Sequence, residues 1–87
     1  MARYELKTWP EFFAAVLAGT KPFDVRYDDR GAGYQVGDVL LLYEYDPAKG
    51  YTGRTMTKTV TYVLHGMGLE RGYVCLGLAP GPEGEGE

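Results

Sequence analysis

The chain predicts a small α+β domain, with one helix near the N-terminus packed beside a sheet of about five or six strands that curls into a barrel. Three observations carry this. One stretch, from Trp9 to Ala18, places apolar residues at helical spacing; later stretches are alternating or rich in β-branched and aromatic residues; and the breaks between them are short and marked by Gly, Pro or Asp. With 87 residues, 45% of them hydrophobic, one modest core can form and a second domain does not fit.

Taken in order, Tyr4-Glu5-Leu6-Lys7 alternates as a short strand does. Thr8-Trp9-Pro10-Glu11 reads as a helix start, with Thr8 as N-cap, Pro10 in the first turn and Glu11 returning to the cap. Trp9, Phe13, Val16 and Leu17 then fall on one helical face, and Gly19 supplies the stop. Next, Phe23, Val25 and Tyr27 alternate with Asp24, Arg26 and Asp28; the expectation is a strand that buries the first set. Residues 28–33 form a loop, and Gln35-Val36-Gly37-Asp38 a tight turn into Val39 to Tyr45, whose apolar run suits the central strand. Asp46-Pro47-Ala48-Lys49-Gly50 is a turn. From Thr55 to Leu64, Thr57, Thr59, Thr61 and Val63 are expected on one face against Lys58, Val60, Tyr62 and Leu64 on the other, and the last strand runs from Tyr73 to Leu78.

Nine Lys and Arg stand against twelve Asp and Glu, a net charge of -3, which argues against tight charge-driven binding to duplex nucleic acid. Three of the acids, Glu83, Glu85 and Glu87, lie in the Gly- and Pro-rich stretch 80–87, which has little to bury and is expected to be a disordered tail after a domain spanning 1–79. Without them the body is neutral, so a local basic patch stays possible. Cys75 alone cannot form an internal disulfide, and one thiol with one histidine, His65, is too few for a CxxC-type metal site; neither metal nor cofactor is expected. No run of about 20 apolar residues occurs, and the N-terminus lacks a signal core, so the expected location is cytoplasmic with no membrane partner.

Two constellations could carry chemistry. Lys21, Asp24 and Arg26, followed by Asp28, Asp29 and Arg30, offer a mixed-charge pocket in which Arg forks onto a phosphate or base edge and Asp accepts from an exocyclic amine. A solvated strand face with surface ion pairs explains the same residues. Glu44-Tyr45-Asp46 with Gly50-Tyr51-Thr52-Gly53-Arg54 reads as a hairpin whose tip carries an aromatic and a cation, the pairing that grips single-stranded bases; an ordinary turn is the alternative. The eight tyrosines are too scattered to define a stacking platform.

Gly19-x-Lys21-x-x-Asp24-x-Arg26 resembles the GxKxxExR signature of ASCH domains, a branch of the PUA-like superfamily, with Asp for the usual Glu. In more detail, Glu5-Leu6-Lys7, Trp9-Pro10-Glu11, the Arg26–Arg30 segment, Val36-Gly37-Asp38, Glu44-Tyr45-Asp46 and Tyr51-Thr52-Gly53-Arg54 resemble a family catalogued only as domain of unknown function 3850, over residues 4 to 78. The resemblance implies a PUA-like barrel with a cleft between helix and barrel, and a role in binding single-stranded or modified RNA or a nucleotide. The signature lysine and acid, Lys21 and Asp24, are implied to lie in that cleft, and with the two constellations above the candidate ligand-binding residues are Lys7, Lys21, Asp24, Arg26, Asp29, Arg30, Tyr51 and Arg54. An ASCH branch that deacylates an acetylated cytidine uses a threonine where this chain has Asp24, so its nucleophile is missing here. A small amidohydrolase-like enzyme built on Lys21 is the alternative function, and a protein-interaction module the second.

Overall fold

A computed structural model describes residues 2–28, 31 and 33–85, the last four as backbone only. The elements are β1 (Arg3–Thr8), α1 (Pro10–Ala18), β2 (Phe23–Tyr27), β3 (Val39–Asp46), β4 (Gly50–Leu64) and β5 (Tyr73–Glu85). They form one mixed sheet in the order β1-β3-β4-β5-β2. β1 runs parallel to β3 and every other pairing is antiparallel. The sheet curls into a half-barrel. Its two edge strands approach each other across an open seam, where Arg26 Nη2 of β2 donates to the Lys7 carbonyl of β1 at 3.3 Å.

The core is the concave face. Leu6 of β1, Leu40 and Leu42 of β3, Met56 and Val60 of β4, and Val74, Leu76 and Leu78 of β5 are buried there, each on the alternate-residue stripe of its strand. α1 covers this face with Phe13 and Val16, and Leu17 packs at the margin. Trp9, expected on the same face, is 55% exposed and stacks on Phe12 instead. Gly19 ends the helix in the left-handed region at φ 86°, its N–H bonded to Val16 O, as expected of a glycine stop.

Four expectations are corrected. Thr8 is not the helix cap: it is the last residue of β1, and Trp9 takes the cap position without a side-chain bond. β4 starts at Gly50 and keeps its alternation only as far as Val60. A bulge between Val60 and Tyr62 then shifts the parity, so that Val63 as well as Val60 packs on the core and Tyr62 is exposed. The same strand, not β3, is the middle of the sheet, although β3 is interior.

The fourth correction bears on function. β2 buries the face that was expected outside: Asp24 is 5% exposed, whereas Phe23, Val25 and Tyr27 are 40–55% exposed. Pairing with β5 is the cause. Asp24 lies opposite Leu76 and Arg26 opposite Val74, both core residues, and partners across an antiparallel ladder share a face. An internal ion pair makes the inverted strand tolerable.

The Gln35–Asp38 turn closes as expected, with Asp38 N–H on Gln35 O at 3.0 Å. Buried Asp38 also accepts from the N–H groups of Gln35 and Ala2, which ties the start of β1 to the turn before β3. β5 continues past Leu78, with Ala79 and Pro80 opposite Thr59 and Lys58. Of the expected tail, Gly86 and Glu87 lie outside the described residues. No helix among those described is long and apolar enough to cross a membrane.

Candidate functional site

A cleft of about 750 Å³ opens along the seam between the edge strands and runs to the β3–β4 hairpin. β1 contributes Glu5, Leu6 and Lys7, β2 Arg26 and Tyr27, β3 Tyr43 and Glu44, and β4 Tyr51, Gly53, Arg54 and Thr55; Tyr34 of the β2–β3 connection completes it. α1 lends no lining residue, so the cleft lies between strand edges and hairpin rather than between helix and barrel. Three cations, Lys7, Arg26 and Arg54, face two carboxylates, Glu5 and Glu44, against a net charge of -3 for the whole chain.

The hairpin end is shaped by a bulge. Tyr43 pairs with Thr55 and Tyr45 with Tyr51, so Glu44 alone opposes Thr52, Gly53 and Arg54. Gly53 turns the chain there at φ 96°, a conformation that a side chain resists. Both neighbours thereby reach Glu44: Thr52 Oγ1 donates to Glu44 Oε1 at 2.6 Å, and Arg54 Nε stands 3.7 Å from the same oxygen. The Arg54 guanidinium also lies over the Phe13 ring, 5.0 Å from its centre, which holds one of its faces to the core and leaves half of the side chain exposed.

Glu44 continues the interior stripe of Leu40 and Leu42, so a carboxylate stands where the apolar core gives out; its side chain is 8% exposed. Thr8, opposite Glu44 in the β1–β3 register, is buried too, and its hydroxyl has no hydrogen-bond partner among the described residues.

On the other face of the hairpin, Tyr45 and Tyr51 meet edge to face with centroids 5.0 Å apart, and Tyr43 meets Tyr51 at 6.0 Å. Lys7 Nζ sits 4.5 Å from the Tyr45 ring centre and 5.7 Å from that of Tyr51, held at the cleft's rim by two ring faces.

The GxKxxDxR residues are clustered but mostly outside the cleft. Asp24 accepts from Arg26 Nε at Oδ2 and faces Lys21 Nζ at 3.9 Å from Oδ1. Lys21 donates to Phe23 O at 2.9 Å and lies against the rings of Phe12 and Phe23. Only Arg26 reaches the cleft, with part of its fork already spent on Asp24 and Lys7 O. Of the expected site residues, then, Lys7, Arg26, Tyr51 and Arg54 come together, Lys21 and Asp24 stand behind Arg26, and Asp29 and Arg30 lie outside the described residues.

Glu44, Glu5 and the tyrosines at 27, 34 and 43 were not among the expected ligand residues. Glu44 had a usable signal, as the acid that interrupts an apolar alternation. The tyrosines had none, because their convergence depends on pairings that no local pattern encodes. A shallower hollow elsewhere is lined by Asp28, His65, Glu70 and Arg71, with His65 exposed at its rim.

No curated protein matches the chain. Residues 3–78 match the model of the family described as a domain of unknown function (DUF3850), and the chain belongs to that family.

Proposed function

We propose that the chain is a cytoplasmic PUA-like module of ASCH type that binds a nucleotide or single-stranded RNA in the seam cleft. The observation that carries this is the convergence of Lys7, Arg26 and Arg54 with the rings of Tyr27, Tyr43 and Tyr51 on one opening of an otherwise acidic molecule. Cations meet phosphate, and tyrosine rings stack on base faces. The cations are local, so the net negative charge does not oppose this.

The amidohydrolase-like reading has less to stand on: Lys21, its expected nucleophile or base, sits outside the cleft lining and spends its ammonium on Phe23 O. The interaction-module reading has one observation in its favour, the exposure of Trp9, Phe12, Phe23 and Val25. Light scattering on the purified chain detects self-association through that surface, and a clean monomer at all concentrations removes it.

Fluorescence anisotropy with labelled single-stranded RNA oligomers tests the binding reading. A Lys7→Ala/Arg54→Ala variant is expected to bind at least about tenfold more weakly and with a shallower salt dependence. Equal binding by both proteins, or none by either, overturns it.

A further inference from the structure

We infer that Glu44 is the specificity-determining residue of the cleft and selects a base that carries an exocyclic amino group over one that carries an oxo group at the same ring position. This rests on the nucleotide-binding reading above and adds a substrate class to it. Glu44 lines the cleft from its floor, where the interior stripe of β3 ends. Its two oxygens are used unequally. Oε1 takes the Thr52 hydroxyl and faces Arg54 Nε, while Oε2 takes no hydrogen bond from a described residue. An ionised carboxylate is acceptor-only; Oε2 is not among the buried atoms left without a partner, so it meets the water of the cleft, and a group that displaces that water must bring a donor to replace it.

A base entering the cleft edge-on leads with its exocyclic substituent, the atom that projects furthest from the ring. An amino group there brings an N–H to Oε2, as cytosine N4 and adenine N6 do when read by acidic or amide side chains. An oxo group brings a second acceptor against the carboxylate, which leaves both lone pairs unpaired and out of water. The Thr52 and Arg54 contacts hold Oε1 in place, so the carboxylate cannot readily rotate away from this encounter. The unpartnered Thr8 hydroxyl, opposite Glu44 on the neighbouring strand, leaves the floor beneath it polar rather than packed.

Isothermal titration calorimetry of the full chain with CMP, UMP, AMP and IMP tests the inference. CMP and AMP are expected to bind at least about tenfold tighter than UMP and IMP respectively. In Glu44→Gln the amide can present either its oxygen or its NH₂, so the four affinities are expected to fall within about threefold of one another. Glu44→Asp, which keeps the charge but withdraws the carboxylate by one methylene, serves if the Gln variant does not fold, and is expected to lose the preference as well. Tight binding of all four by the wild type without preference, or a preference that survives both substitutions, overturns the role of Glu44 and leaves nucleotide binding standing. Binding of none of the four, together with no binding of RNA oligomers, overturns both.

Discussion

Asp24 and Glu44 are both carboxylates on the interior face of a strand, each about nine-tenths buried and each next to an arginine two or more residues along the chain, yet they do different work. Asp24 is closed. Arg26 bonds to Oδ2, the Lys21 ammonium balances the charge 3.9 Å from Oδ1, and Arg26 carries on to the Lys7 carbonyl, so the cluster staples β2 to β1 across the seam. Glu44 is open: one oxygen is committed, the other is not, and the side chain lines the cleft. A carboxylate with a cation at each oxygen and no place in the cleft belongs to the architecture, and one that lines the cleft with an oxygen facing no cation belongs to the site.

The contrast is broken most directly at Asp24. Asp24→Ala leaves two cations, each with less than a fifth of its side chain exposed, without their acceptor, and it frees Arg26 from the seam. Removal of one partner from a buried ion cluster costs about 3 kcal/mol, so the unfolding free energy measured by urea titration is expected to fall by about that amount. A loss below about 0.5 kcal/mol would class the cluster with ordinary surface ion pairs and remove the distinction.

The next effect is on the Glu44 side. Gly53→Ala adds a methyl group that meets nothing within 4 Å, so its cost is not a clash. It is the positive φ, and about 1–2 kcal/mol of stability is expected to be lost. Gly53→Asn is expected to lose less, because asparagine tolerates the left-handed region. Equal losses in thermal unfolding of the two variants would mean that the bulge does not depend on backbone handedness, and that the Glu44 cradle is held by Thr52 and Arg54 alone.

These two clusters also mark how far the sequence was legible. The helix, its glycine stop, the Val39 run and the Asp46–Gly50 turn follow from local rules, and the structure has all of them. So does the mixed helix-plus-sheet class. The orientation of β2 does not follow: on an isolated strand, Phe23, Val25 and Tyr27 are the obvious set to bury, and only the register against Val74 and Leu76 turns Asp24 inward. The parallel pairing of β1 with β3, across an intervening helix and strand, is equally non-local, and it is what brings Lys7 beside Tyr43 and Thr8 beside Glu44. Half of the expected site residues therefore gather in the cleft, while the signature motif supplies it only with Arg26.

The smallest expected effect tests the floor between the two clusters. Thr before Trp-Pro-Glu fits the grammar of a helix cap, but in the fold the Thr8 hydroxyl caps nothing and is buried without a partner among the described residues. A buried hydroxyl with no bond carries its desolvation cost uncompensated, and valine has nearly the same shape and suits a strand as well. Thr8→Val is therefore expected to stabilise the protein by about 0.5–1 kcal/mol, read as a higher urea midpoint at unchanged slope. Its effect on nucleotide affinity separates two roles for that hydroxyl. If Thr8 is only an imperfection of packing, CMP affinity stays within about twofold of wild type while stability rises. If stability falls instead, the hydroxyl is bonded in solution, through water to Glu44 or to the backbone beside it, and the polar floor extends from the open carboxylate onto the edge strand that Arg26 staples from the other side.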